Sequence, residues 1–389
     1  MSYPRAIPLL LFLFCAPSGM RAQQPVPPAP PPRPGAVGVE EATALTQAWA
    51  LLAQGLTAEA SRRAAQVLAA YPRSAGAIAL AVETEIARAG SVAGLDQYER
   101  WLGSRALEEP SIVRRVAVAL LHEMVSAGPQ DAARLQALRA LAADGDAAAA
   151  TELSKALETG SVPELRALAA TGNETAVKAL AARLNSGSSN LTSTIEALAQ
   201  SGSKLALAPL TERLQDRAPE VRGAAVEGLG TMGDRFDVID RIKPMLEDKT
   251  GYVRIKAAAA LFRLGDMSGL SMLQELYAAD AEASRLIAVK AMASAPDSQW
   301  LDQVRRLTSA EDPAVRVEAA RLIAPHDREL ARRSIEQGMA DPNPAVREMA
   351  AEALSDVVST DLRALRHLLR LPDRLARVRA AAHILALVR

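Results

Sequence analysis

The sequence predicts an all-α chain in which short antiparallel helix pairs stack into an α-solenoid, and three observations carry that prediction. Aromatic residues make up only 3% of the 389 residues, too few to fill one large core, so Ala, Leu, Val and Ile must be buried across thin layers. From Val39 onward apolar residues recur with helical spacing over stretches of about 10 to 16 residues, separated by short Gly, Pro, Asp or Ser breaks and without strand alternation. A motif beginning Val-Arg then returns at a nearly constant period, the mark of a chain assembled from repeats.

The amino terminus reads as a targeting segment. Met1 to Arg5 carries one positive charge, Ala6 to Ala16 (AIPLLLFLFCA) is an almost unbroken apolar run, and the small Ala22 precedes Gln23. That order predicts a secretory signal peptide over residues 1–22. A transmembrane anchor is the competing reading, but the run falls short of the ~20 residues that span a bilayer and Pro8 interrupts it. Lipid attachment at Cys15 is a weaker alternative, because Phe12-Leu13-Phe14 is bulky where lipoprotein signals carry a small residue. Cleavage after Ala22 removes the single cysteine, leaving an exported chain with neither disulfide nor thiolate. Residues 23–38 (QQPVPPAPPPRPGAVG) predict a Pro-rich tether in polyproline II.

Residues 39–126 predict a helical cap. In its first helix pair, Glu40 to Tyr71, Ala48, Leu51 and Leu52 are followed by a turn at Gly55, then by Ala60, Ala64, Val67 and Leu68, ending before Pro72. This unit resembles the tetratricopeptide pattern, with Gly55, Ala60 and Pro72 standing at its turn glycine, close-packing alanine and terminal proline. Two roles fit that resemblance: a peptide-binding groove, or a cap over the end of the following repeats.

The repeats occupy residues 131–389. Their arginines are Arg222, Arg254, Arg285, Arg316, Arg347 and Arg379, separated by 32, 31, 31, 31 and 32 residues, each followed at three residues by an alanine. Fainter copies lie upstream, where Leu141, Leu168 and Leu198 align with Leu229, and Gly145, Gly172 and Gly202 with Gly233. These units resemble the HEAT-repeat family, particularly its short bacterial type of about 31 residues per helix pair. The resemblance implies a ladder in which an aspartate before the second helix and an arginine early in it bond from unit to unit. Asp216, Asp248, Asp341 and Asp373 each lie six residues before Arg222, Arg254, Arg347 and Arg379; Asp280 stands before Arg285, and Glu311 or Asp312 before Arg316, so the ladder is expected to loosen there. A buried, carboxylate-paired structural role is expected for the arginines, as bidentate guanidinium geometry allows.

A helix pair cannot bury its apolar face alone, so stability is expected from nearest-neighbour stacking, with terminal units fraying before central ones. The far end, Val388-Arg389, lacks a partner helix and predicts either a frayed unit or an end covered by something else.

Chemistry is sparse. The four histidines, His122, His326, His367 and His383, include no i, i+4 pair and no zinc-type spacing. One HEAT-built enzyme family holds two irons with several His-Glu dipeptides, and this chain has one, His122-Glu123. GLGTMG at Gly228 to Gly233 follows a helix rather than a strand, so it reads as a helix end and not a phosphate loop. Forty-five Lys+Arg against 45 Asp+Glu argue against nucleic acid. The one local cation excess centres on Arg363, Arg366 and Arg370, a single helical stripe that reads as a solvated face or as one meeting an acidic partner or anionic lipid.

A binding surface is expected on the second helices, which in the HEAT family line the concave face. Counting 100° per residue from each repeat arginine, positions +1, +5 and +8 point away from the core. Ile255, Leu286 and Val317 at +1 and Phe262 at +8 then form an apolar strip edged by Lys290 and Arg321, and contiguous apolar surface marks an interaction site. The competing reading buries the strip against neighbouring helices. The sequence thus predicts an exported, non-catalytic scaffold for another protein, with no cofactor, no nucleic acid and no stable membrane span. The alternative is a repeat-built lyase or cofactor-handling enzyme.

Overall fold

The computed structural model describes residues 38–103, 107–129, 131–159, 161–186, 190–233, 235–278, 282–292 and 300–388. The predicted signal peptide, all of the tether except Gly38, and Asp280 lie outside the described residues. Four helices open the chain: α1 (Val39–Ala53), α2 (Thr57–Ala70), α3 (Ala75–Ala89) and α4 (Ser91–Leu102). Nine antiparallel pairs follow among the described residues. They are α5 (Pro110–Ala127) with α6 (Ala132–Ala143), α7 (Ala147–Ser154) and α8 (Ala156–Thr159) with α9 (Val162–Ala169), α10 (Glu174–Asn185) with α11 (Leu191–Ser201), and α12 (Leu207–Arg213) with α13 (Pro219–Met232). Next come α14 (Ile239–Ile242) with α15 (Gly251–Arg263), α16 (Leu270–Ala278) with α17 (Glu282–Met292), and α18 (Leu301–Leu307) with α19 (Pro313–Ile323). The last two are α20 (Arg328–Met339) with α21 (Pro344–Val357) and α22 (Leu362–Leu368) with α23 (Arg374–Leu387). No strand occurs among the described residues, and the fold is all-α.

Local chemistry sets the pairs. Gly145, Gly172, Gly202 and Gly265 sit at φ of 98°, 88°, 60° and 85°, a region closed to most side chains, and so turn the chain after a second helix. The next residue caps the new first helix: Asp146 accepts from Ala149 N at 2.8 Å and Asn173 from Ala176 N at 3.0 Å. Gly233 departs from its aligned glycines with a right-handed φ of −62°; a Cβ there would lie 2.2 Å from Leu264 Cδ2, so a larger residue would require the Leu264 side chain to shift. Second helices α13, α19 and α21 start on Pro219, Pro313 and Pro344, where the missing N–H costs nothing.

The repeat arginines bond differently from the expected ladder. Nη1 donates to the carbonyl six residues earlier in the same unit: Arg222 to Asp216 O, Arg254 to Asp248 O, Arg316 to Ala310 O and Arg347 to Asp341 O, at 2.7–2.9 Å. Because the acceptor is backbone, the unit lacking an aspartate at that position is held as firmly as the others. The Asp216, Asp248 and Asp341 carboxylates instead accept amide hydrogens two residues on. A unit-to-unit rung of the expected kind joins Arg222 to Asp248, through Nε at 2.7 Å and Nη2 at 2.8 Å; Arg222 is buried there, whereas Arg254, Arg285 and Arg316 are half-buried and Arg347 is exposed. The Arg222 guanidinium holds the Asp248 carboxyl below its ordinary range.

The last unit is a correction. Arg379 is not the ladder residue. Arg377 donates to Leu369 O at 3.0 Å, and the buried Ala380, Ala381 and Ile384 stand at +3, +4 and +7 from Arg377, the core positions of the other units. Alanine occupies both candidate core registers of α23, and only the packing selects the one that starts from Arg377. Asp373 caps α23 through Ala376 N at 2.6 Å and is not the partner of Arg379.

Stacking runs along the second helices. α6 touches α9, α9 touches α11, and the contacts continue through α13, α15, α17, α19, α21 and α23. First helices of adjacent pairs scarcely meet, so they occupy the longer, outer circumference. The series does not stop at α23, which packs on both α5 and α6. The far end is therefore covered by the chain's own first pair, and the solenoid closes into a ring. Helix α5, within the predicted cap, also packs on α3 and so joins ring to cap.

The arginine stripe locks the closure. Arg366, 4% exposed, places Nε 3.2 Å from both oxygens of Glu108 and donates through Nη1 to Glu99. Arg370 reaches Asp96 and Glu99, and Arg374 lies 3.3 Å from Asp131. The acidic partner of the stripe thus lies within the chain, more than 250 residues upstream. Fully buried Tyr98 backs the lock, donating to Glu108 at 2.9 Å and accepting from Glu109 N at 2.7 Å. Burial pushes its phenol well above the ordinary tyrosine range.

Candidate protein-binding face

The face of the second helices that is open to solvent lies at +2, +5 and +9 from the repeat arginine. Position +5 reads Arg139, Arg166, Glu196, Glu227, Ala259, Lys290, Arg321, Glu352 and Ala382 around the ring, taking Arg377 as zero in α23 and aligning the upstream units by their leucines. Glu196 and Glu227 are each 59% exposed and Lys290 is 62% exposed, so the inside of the ring is solvated. Nine helix-to-helix steps of about 9 Å enclose a circle about 26 Å across between axes, leaving an opening of about 15 Å.

The apolar strip is corrected in part. Val317 is 0% and Phe262 4% exposed: both are core. Leu286 is half-buried and packs on the main core, Ile255 is half-buried, Lys290 is exposed and Arg321 is half-buried. The reason is geometric. A second helix in a stack is flanked on both sides as well as behind, so only a narrow stripe near +5 stays open and positions +1 and +8 are covered. Val317 approaches α20, where its Cγ2 would lie 2.7 Å from a Cβ placed on Gly338. The exposed apolar residues on or beside this face are Ile287 at 47% and Tyr252 at 49%, with Lys256 5.7 Å above the Tyr252 ring.

Charges on the inner face pair with their neighbours. Lys256 meets Glu227 at 2.7 Å, Lys290 meets Glu318 at 3.6 Å, and Arg321 meets Asp356 at 2.9 Å. Arg379, freed from the ladder, meets Glu352 at 3.2 Å and Asp356 at 3.7 Å, while His383 lies 3.4 Å from Asp356. Burial pushes the Asp356 carboxyl up, but His383, Arg321 and Arg379 together outweigh it and hold the group below its ordinary range. Glu352 goes the other way, raised by burial against the opposing pull of Arg379.

The remaining titratable pair of interest, His122-Glu123, is engaged structurally. Glu123 accepts from Ser91 N and Ser91 Oγ at 2.5 and 2.6 Å, anchoring the start of α4, and His122 lies 3.3 Å from Asp146. Among the described residues no three His, Cys, Asp or Glu side chains gather as a metal-ligand group, and no helix is long and apolar enough to cross a membrane.

The molecule belongs to the class of α-solenoids built from helix-pair repeats. It carries HEAT repeats, the family model matching residues 207–293 and 299–387. The match opens at α12, and the same helix pairing continues upstream of it. Similar solved structures include human deoxyhypusine hydroxylase in complex with glycerol, 20% identical, covering 72% of this chain and 97% of its own at a TM-score of 0.31. An engineered protein is 18% identical, covering 87% and 98% at a TM-score of 0.29. Scores this low carry no functional argument. No curated protein matches the chain.

Proposed function

We propose that the protein is an exported, non-catalytic scaffold that binds a segment of another protein along the inner face of its ring. The observation that carries this reading is the solvated inner stripe, whose charges come in short runs of both signs, Arg139 and Arg166, then Glu196 and Glu227, then Lys290 and Arg321, then Glu352, instead of accumulating as one sign. Such a surface complements a polypeptide of mixed charge and repels neither partner as a whole, whereas a polyanion or an anionic lipid surface calls for a continuous cationic track. Export rests on the order of charge, apolar run and small residue in residues 1–22. The absence of catalytic work is part of the proposal, motivated by the structural engagement of His122 and Glu123 and by the pairing of the inner-face charges.

The test is co-purification from the native envelope with an affinity tag, compared with the double variant Glu227→Lys and Lys290→Glu. Wild-type protein is expected to retain a defined partner and the variant to lose it without change in melting temperature. An intact Met1 on mass spectrometry of the native protein, or a stoichiometric metal or chromophore in the purified chain, would overturn the reading.

A further inference from the structure

The seam where α23 closes on α6 leaves a cavity of about 180 Å³, room for a few waters or one acidic side chain at about 30 Å³ per water. Gln136 and Arg139 of α6 line one wall and Ala382 and Ala386 of α23 the other, with Asp144 at the rim. Around the inner stripe nearly every cation has an anion on the adjoining helix; among the described residues Arg139 does not. Its neighbour across the seam is Ala382, and its neighbour on the other side is Arg166, which turns away to Gln200 at 2.8 Å and Glu196 at 3.9 Å. Asp144 is no substitute, since Arg114 holds both of its oxygens at 2.7 and 2.9 Å. Arg139 is half-buried, and burial first, then Arg166, depresses its pKa. A guanidinium held out of water beside a like charge is unfavourable unless something else offsets it.

We propose that this cavity is a carboxylate site in which Arg139, with Gln136 beside it, receives the acidic side chain of a protein segment lying along the inner face. The inference rests on the reading of that face as protein-binding and adds the chemistry of the partner. Alanine walls accept the methylene groups of Asp or Glu, and the fork of Arg139 suits a planar carboxylate. Glu196, Glu227 and Glu352 stand among Arg166, Lys290 and Arg321 on the same stripe, so the acid received at the seam belongs to a segment of mixed charge.

Calorimetric titration at low salt would compare a short synthetic peptide with a single central Glu, its Gln counterpart, and inorganic phosphate. The Glu peptide is expected to bind roughly tenfold or more tightly than the Gln peptide, as a charge-assisted pair allows. Arg139→Met should erase that preference with melting temperature unchanged or raised, because the uncompensated cation is gone. Equal affinity for the two peptides, a preference that survives in Arg139→Met, a fall in its melting temperature, or tighter binding of phosphate would each overturn the site. If Arg139→Met still captures the envelope partner as well as wild type, the site falls while the scaffold reading stands; if wild type captures nothing while the Glu preference holds, the reverse is true.

Discussion

Replacing Arg366 by Met should loosen the ring at its seam and almost nowhere else. Arg366 is 4% exposed and joins α22 to Glu99 of α4 and to Glu108 in the loop before α5. Removing one partner of a buried ion pair costs about 3–5 kcal/mol, mostly from the charge left behind. Here Glu99 keeps Arg370 and Glu108 keeps the Tyr98 hydroxyl, so the lower end, about 3 kcal/mol, applies. Amide hydrogen exchange read by mass spectrometry localises the loss. In the wild type the sealed end should protect α23 as well as α13, in contrast to the fraying expected of an open solenoid. In the variant, α22, α23 and the start of α5 should exchange on the order of a hundredfold faster, the factor that about 3 kcal/mol implies, while α13 and α15 scarcely change. Arg305→Met is the control. Its pair with Asp302 is exposed on both sides, and such pairs contribute about 0–1 kcal/mol. A loss at the seam below about 1 kcal/mol, or an equal loss at α13, would show that the lock does not hold the ring.

Three further outcomes are expected. Leu229→Ala and Leu261→Ala, both at 0% exposure, should each cost ~2–5 kcal/mol in denaturant unfolding, and tolerance of both would contradict the stacked core. Val317→Glu should yield no folded protein by circular dichroism, whereas half-buried Ile255→Glu should fold; the opposite order would restore Val317 to the surface. Hydrogen bonds from Ser268 and the nearby Lys243 hold Asp266 at about 2 against an ordinary 3.8. Between those values the native state binds fewer protons than the unfolded one, so this stabilisation is complete above about pH 4 and is lost as pH falls toward about 2. Asp266→Asn should flatten that part of the acid limb of an unfolding profile, and an unchanged limb would remove the assignment.

Much of this architecture was legible because each repeat is a local solution to a local problem. The repeat leucines Leu141, Leu168, Leu198 and Leu229 are all buried, since a second helix must present one large apolar residue to the pair behind it. The aligned Gly145, Gly172 and Gly202 share a left-handed φ, whereas Gly233, aligned with them, does not. What failed is what depends on more than one unit. The strip Ile255, Phe262, Leu286 and Val317 was placed by the angle about a single helix axis, and two flanking helices that no single-helix pattern encodes decide which side stays wet. Arg379 was misread because alanine fills both candidate core registers of α23, so only the packing against α5 and α6 distinguishes Arg377 from it.

Ring closure is the extreme case of that limit. Periodicity reports that each unit resembles the next, and it is blind to the small rotation per step that decides whether nine units open into a superhelix or meet. The residues that record the outcome were visible as composition: an arginine stripe at Arg363, Arg366 and Arg370, and acids at Asp96, Glu99 and Glu108. Neither half is informative alone. A charge stripe on a helix is ordinary on a solvated face, and it acquires meaning only when the fold places its complement opposite. Closure also changes what the inner face can do. An open solenoid can flex to admit a folded partner from the side, whereas a sealed ring with an opening of about 15 Å admits a single helix or an extended segment. That restricts the partner to a tail, a loop or a helix unless the seam parts. A seam held by Arg366 and Arg370 therefore bears on binding as well as stability: Arg366→Met should speed both capture and release of a partner segment while leaving its affinity for the inner face nearly unchanged.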